Sequence, residues 1–463
     1  MLRHFFLFLT LSSILLYADV QSDLNKGFEF YDKKEYSDAL KIFQPHADQG
    51  NIAAQHYLGM MYYYGQGIKK DFTKSFQWLI KAAEQGDRGY AEYYVGLMYF
   101  YGQGTLKNYP EAAKWYTKSA EQNITESQFN LASMYYEGQG VQKDYSKAFT
   151  WFTKAAELGH IGSQYNLALM YMNGKNVSKD DAQAAKWFRK AAEQGHPSAQ
   201  YNLAEMYNNG EGLPTDKTEA AKWYKKAAEQ GIEGAQFYLA KMYYTGEGIS
   251  QDYSQAFKWF TKAAEQEHPR YAQFYIGSLY YFGQGVLQDF SEAAKMYTKA
   301  SDNGLSSAMS NLGIMYAKGQ GVSQSNIIAY ALYNLSSAQD SSSENDALKH
   351  RNSIINEMTN QEIEVGQALT REMQKKGISK TITQYLKTQQ KPTPKKPVAG
   401  AIPKAPSQYP ERPSKISGKT SCNTRCFNGD CYRTYDNGKQ KHFQVSPTYN
   451  PLNSQWEFNS GPC

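Results

Sequence analysis

Three sets of residues in this 463-residue chain have the types to do chemistry: paired glycines, histidines and cysteines. The stretch MYYYGQG, Met61 to Gly67, sets two glycines around one polar residue. Such loops can cradle phosphate through their backbone N–H groups. The loop or a close variant recurs, however, with its first glycine at Gly65, Gly102, Gly138, Gly174, Gly210, Gly246, Gly283 and Gly319. Eight phased copies are punctuation, not a nucleotide site. His160, His196 and His268 stand at equivalent places in the same period, too far apart to share one metal. No HExxH, GxSxG or Walker pattern occurs, and Glu211 and Asp216 lie on a polar loop where solvation accounts for them. The sequence therefore assigns no catalytic, cofactor-binding or metal-binding residue. All four cysteines, Cys422, Cys426, Cys431 and Cys463, fall in the last 43 residues. Their spacing fits no common zinc pattern, and an even count in a small exported module reads as two disulfides with three possible pairings.

The elements follow from the period. The glycines step by 36 or 37 residues. Thirteen residues after each first glycine stands a large apolar residue: Trp78, Trp115, Trp151, Trp187, Trp223, Trp259, Met296 and Leu332. Within the unit from His196 to Gly231, Ala199, Leu203, Met206 and Tyr207 form an amphipathic stripe, and Gly210 follows where a helix ends. A second helix from about Lys217 is expected to bury Ala220, Trp223, Ala227 and Ala228, with Gly231 ending it. One such pair cannot bury its own apolar face, so stacking must make the core.

The motifs AQYNLAxMYxxGxG, at 199–212, and AAKWYxKAAEQG, at 220–231, resemble the Sel1-like repeats, relatives of the tetratricopeptide repeat. The resemblance covers about residues 51–340. It implies an all-α fold, an α/α solenoid whose concave face is lined by first helices, and an adaptor that holds other proteins. Repeat four departs with GKN, Gly174 to Asn176, and repeats seven and eight lack the Trp. A cysteine-rich branch of the family is linked to β-lactam binding; these repeats contain no cysteine, so that activity does not carry over. Residues 19–50 read as a degenerate leading unit and 341–385 as polar capping helices.

Three first-helix positions, at i, i+3 and i+7, vary between units and share a face. They supply the candidate protein-binding groove: Tyr57, Met60 and Tyr64; Tyr94, Leu97 and Tyr101; Asn130; Asn166; Asn202 and Glu205; Tyr238 and Lys241; Tyr275 and Phe282. Tyr offers large contact area with a polar tip, and amides can hold a peptide backbone. The competing expectation is that these rings pack between neighbouring units.

The ends complete the picture. A charged start, the apolar run FFLFLTLSSILL and Ala18 describe a cleavable signal peptide over residues 1–18, which predicts a periplasmic or secreted protein. No segment is long and apolar enough to span a membrane. The formal charge of +6 is modest and gives no reason to expect nucleic acid. Residues 391–420 carry seven Lys or Arg against one Glu, within a Pro-rich linker expected over 386–420. Such a linker is extended, and could touch an acidic envelope polymer. Residues 421–463 read as a small disulfide-stapled β-rich module. The functional expectation is a non-enzymatic adaptor for a protein or peptide, with that module as a second binding or anchoring element. An immunity-type inhibitor of a toxin or envelope enzyme is the alternative, and a cell-wall- or β-lactam-directed hydrolase the remote one.

Overall fold

The computed structural model describes residues 19–87, 89–267, 269–339 and 346–389, together with the backbone of strands between 422 and 457. The signal-peptide segment lies outside the described residues. The chain divides into two units, Met1–Lys391 and Pro392–Cys463.

Every repeat is a pair of helices, the first ended by a left-handed glycine. In repeat one the Asn51 side chain accepts a hydrogen bond from the Ala54 N–H at 3.0 Å and starts the helix Ile52–Tyr64. Gly65 ends it at φ 73°, a left-handed conformation that glycine adopts without strain. Asp71 then caps the second helix, Phe72–Glu84, by accepting from the Lys74 N–H at 3.0 Å. This is why an Asp or Asn precedes each Trp helix: Asn108, Asp144, Asp180, Asp216, Asp252 and Asp289 do the same for the next six units. The first helices that follow are Tyr90–Tyr101, Thr125–Glu137, Ile161–Asn173, Pro197–Asn209, Glu233–Thr245, Arg270–Phe282 and Ser306–Lys318. Each helix of the repeats packs on the one before it and the one after it, and buried apolar clusters succeed one another along the array, with half-buried rings such as Trp151 and Trp223 touching two of them. The leading unit is a helix over 19–32 and Tyr36–Asp48, with Leu24 and Phe43 buried against repeat one.

The core differs from expectation at one position. The Trp is not the deepest residue of the second helix; the residue after it is. Tyr116, Phe152, Phe188, Tyr224, Phe260 and Tyr297 are essentially sealed from solvent, whereas Trp78, Trp151 and Trp223 are half-buried. Each Trp carries a lysine over its outer ring face, at 4.0 Å for Lys118 on Trp115 and Lys226 on Trp223. The ring thus bridges core and solvent, and the cation over it supplements apolar burial.

The second glycine of each loop has a distinct task. A Cβ on Gly104 would lie 2.0 Å from the carbonyl oxygen of Phe72, at the start of the preceding repeat's second helix. Between the two glycines, Gln103 accepts from the Tyr63 hydroxyl at 3.0 Å, as Gln320 does from Tyr281. The loop therefore clamps each repeat to the one before it. Repeat four keeps the contact differently: Lys175 donates to the Tyr136 hydroxyl at 2.7 Å, and Asn176 holds φ 65° without being glycine.

After the helix Asn326–Gln339 the array closes with Asp346–Ile355, Asn360–Lys376 and Ile378–Gln389. A capping box of Thr359 and Glu362 starts the middle one. The last is held from a distance, because Asp302 of repeat seven accepts from the Ile378 and Ser379 N–H groups at 2.9 and 3.0 Å. It runs on to Gln389, beyond the expected linker boundary at 386, since Tyr385 and Leu386 pack on the core. In the second unit the backbone forms antiparallel pairs: Cys422–Phe427 with Asp430–Tyr435, that strand with Gln440–Gln444, and Thr448–Asn450 with Gln455–Glu457. The disulfides expected of Cys422, Cys426, Cys431 and Cys463 concern side chains outside the described residues.

Candidate protein-binding face

The three variable positions of the first helix separate physically. Position i is spent largely on the neighbouring unit. Tyr57 packs on Phe28 and Tyr31 at 4.9 Å and stacks on Phe43 at 5.1 Å. Tyr94 is buried, its hydroxyl 2.6 Å from that of Tyr64. Tyr238 stacks on Tyr224 at 5.4 Å, and Tyr275 lies parallel to Phe260 at 4.7 Å. Two of the amides serve the same joint, Asn130 hydrogen-bonding the Tyr116 hydroxyl and Asn202 that of Tyr165, whereas Asn166 donates within its own helix to the Gly162 carbonyl at 2.9 Å.

Position i+3 is mixed. Met60 and Leu97 are half-buried, Lys241 is exposed, and Glu205 accepts from the Tyr224 hydroxyl at 2.5 Å. Burial first, and then the Glu205 carboxylate, push the Tyr224 pKa far up, so the phenol stays a donor. Position i+7 points outward from repeat two on, with Tyr101 40% exposed and Phe282 60%; in repeat one Tyr64 is half-buried and shares its hydroxyl with Tyr94.

The same register, carried one unit further, reaches residues the sequence reading left out. In repeat eight it falls on Asn311, Ile314 and Lys318. All three line a cavity of about 300 Å³ together with Tyr281, Phe282 and Tyr297. A second cavity of about 300 Å³ shares Ile314 and Lys318 and is walled by the first closing helix through His350, Ser353 and Ile354. Extending the i, i+3, i+7 pattern from repeat seven to repeat eight would have found the first of these; the second needs the closing helix, which sits outside the repeat pattern.

The period's histidines are structural. His160 and His196 cap first helices, their Nδ1 atoms accepting from the Ser163 and Ala199 N–H groups at 3.1 and 3.2 Å. Their rings lie 4.7 Å from Phe129 and 4.4 Å from Tyr165. Burial holds both imidazoles down at about 4. His268 lies outside the described residues. Among the described residues no group of three or more His, Cys, Asp or Glu could hold a metal ion, and no helix is long and apolar enough to cross a membrane.

A solenoid with a fixed core stripe and a varying stripe beside it defines a protein-interaction scaffold. The family model described as Sel1 repeat matches residues 52–87, 89–124, 125–160, 161–196, 197–232, 234–268, 270–305 and 306–341. The chain belongs to the Sel1 repeat family. It is 35% identical to a Sel1 repeat protein from Oxalobacter formigenes, covering 53% of this chain and 98% of that one, with a TM-score of 0.47. It is 27% identical to a protective antigen of uropathogenic Escherichia coli displaying an SLR fold, covering 84% of this chain and 99% of that one, with a TM-score of 0.46. Over 64 residues it is 33% identical to the ERAD-associated E3 ubiquitin-protein ligase component HRD3A of Arabidopsis thaliana, 14% of this chain. The chain spans only 9% of the length of that curated relative.

Proposed function

We propose that this protein is an exported, non-enzymatic adaptor that holds a protein or peptide against the first-helix face of its Sel1 repeats. The observation that carries this reading is the outward i+7 register, which leads from Tyr101 to Phe282 and Lys318 and ends in cavities. Exposed aromatic rings, of which Phe282 also lines a cavity, are what interface anchors look like before a partner covers them. Export follows from the signal-peptide pattern of residues 1–18, and the C-terminal four-cysteine module, on its Pro- and Lys-rich tether, serves as a second binding or anchoring element. In that compartment Cys422, Cys426, Cys431 and Cys463 form two disulfides, so alkylation without reductant adds no mass.

The test is a pull-down from envelope extract with the full secreted chain and its Tyr101→Ala/Phe282→Ala variant. Both side chains are exposed, so the variant should keep its melting temperature and lose the captured partner. Equal capture by the two proteins would remove the register from the function. Hydrolysis of peptidoglycan or a β-lactam by the purified chain would overturn the adaptor reading itself.

A further inference from the structure

Three asparagines of the chain are followed by the x-Ser/Thr pattern that accepts N-linked sugar: Asn123-Ile124-Thr125, Asn176-Val177-Ser178 and Asn334-Leu335-Ser336. The fold treats them differently. Asn334 lies inside the helix Asn326–Gln339 and is partly buried; its amide donates to the Thr370 hydroxyl at 3.4 Å and its oxygen accepts from Arg351 at 3.5 Å. Asn176 stands where the other loops carry their second glycine, the crowded place of the clamp. A Cβ on Gly104, Gly140 or Gly212 would fall 2.0 to 2.4 Å from backbone of the preceding repeat. Asn123 has the opposite kind of place. It sits in the turn between the helices Tyr109–Glu121 and Thr125–Glu137, at φ 65°. Gly86, Gly159, Gly195, Gly231 and Gly304 occupy that place in five other repeats, and a Cβ on any of them meets nothing within 4 Å. Asn tolerates this left-handed backbone better than most residues with a side chain. Yet the fold makes no use of the amide, which is exposed and has no hydrogen bond among the described residues.

We propose that Asn123 is an N-glycosylation site, modified outside the cytoplasm from a lipid-pyrophosphate-linked oligosaccharide. The inference goes beyond the adaptor reading and rests on its export. In the transfer the Asn123 Nδ2 bonds the anomeric carbon of the first sugar. The bond from that carbon to the donor's pyrophosphate oxygen breaks, the lipid pyrophosphate leaves with the electron pair, and the amide gives up one proton to the transferase's base. Two further features suit the acceptor. Ile124 stands at the N-cap of the helix Thr125–Glu137 and supplies no side-chain cap, so this helix start opens readily and lets Thr125 enter a transferase cleft. Glu121 is exposed two places ahead of Asn123, where Gly174 and Leu332 stand ahead of the other two asparagines. A carboxylate there gives a cationic cleft a second handle on this acceptor alone. The folded product is also accommodated. Sugar at the open place of the turn meets no neighbour, and the outward residue Glu137 lies at the far end of the helix, about 18 Å along its axis, so the partner face stays free.

The full chain with its own leader is expressed in a bacterial host whose envelope holds an N-oligosaccharyltransferase and its lipid-linked oligosaccharide. The purified protein is weighed intact and after trypsin. The expected result is a leaderless chain heavier by one oligosaccharide, with the whole gain on the peptide Ser119–Lys143. Asn123→Gly and Thr125→Ala should each lose that gain completely. Asn123→Gly installs the residue that other repeats carry in this turn, so its melting temperature should match or exceed that of the unglycosylated parent; the loss of sugar is then a loss of the acceptor and not of the fold. A leaderless chain without sugar overturns the inference and leaves export standing. Sugar carried on Asn176 or Asn334 instead overturns the choice of the open place in the turn. A chain that keeps its leader overturns export and, with it, the inference.

Discussion

His160 and His196 give a sharp test of how this array is held together. Each ring must be neutral at Nδ1 to accept the N–H that starts its helix. Burial lowers both from 6.5 to about 4. The unfolded chain, with ordinary histidines, therefore binds protons first as the pH falls. The capping contribution is complete above about pH 6.5 and is lost progressively down to about pH 4. At pH 5 the linkage relation gives a loss of about 2 kcal/mol for each histidine and about 4 kcal/mol for the pair. His160→Asn with His196→Asn keeps a capping oxygen at both sites and removes the titration. The double variant forfeits ring contacts with Phe129 and Tyr165, so it starts weaker at pH 7.5. Its pH dependence should nevertheless be flatter. The assay is the urea midpoint of helical circular dichroism at pH 7.5 and pH 5, with the same buffer ions. Carboxylates titrate alike in both proteins and cancel in the difference. Parallel loss of stability in the two would refute the claim that neutral buried histidines cap these helices.

Other perturbations probe the joints. Asn176→Gly should stabilise the array by about 1 kcal/mol, because it relieves a left-handed non-glycine residue at the one clamp that lacks its second glycine; an unchanged or lower urea midpoint would count against that account. Glu92 is buried where six other repeats carry Gln and repeat eight carries Met309, and it accepts from Gln122 at 2.6 Å. Burial raises its pKa above 4.5, so the folded state favours its protonated form and loses stability as pH climbs. Glu92→Gln should restore the pairing seen between Gln194 and Gln164, add about 1 kcal/mol at pH 7, and flatten that slope in a pH series of urea midpoints. Asp302→Ala should free the last helix at a cost of about 1 kcal/mol, seen as faster amide exchange at Ile378 and Ser379 with the repeats unaffected.

Much of this was written in the residues. The period, the helix pair in each unit, the glycine C-caps and the aspartate N-caps are local events, set by φ preferences and by side chains that reach backbone groups two or three positions away. A repeated pattern also implies stacking, since each unit has an apolar face it cannot cover alone. Local pattern could not rank the depth of Trp223 against Tyr224, because both lie on the inner arc of one helix and only the neighbouring helices decide which ring is enclosed. Nor could it tell the rings at position i, such as Tyr57 and Tyr275, from Phe282 at i+7; all share one face, and their roles part only when the preceding unit covers the first kind. The second glycine of the loop looked like a turn residue and is a contact residue, since the Phe72 carbonyl that excludes a Cβ at Gly104 comes from another repeat. Of the two cavities at Lys318, the one walled by His350, Ser353 and Ile354 needed the closing helix at the end of the array. What the sequence by itself determined is what neighbours along the chain can enforce. The tertiary structure alone decided which members of one helical face remain open to a partner, because that depends on what packs against them from far away in sequence.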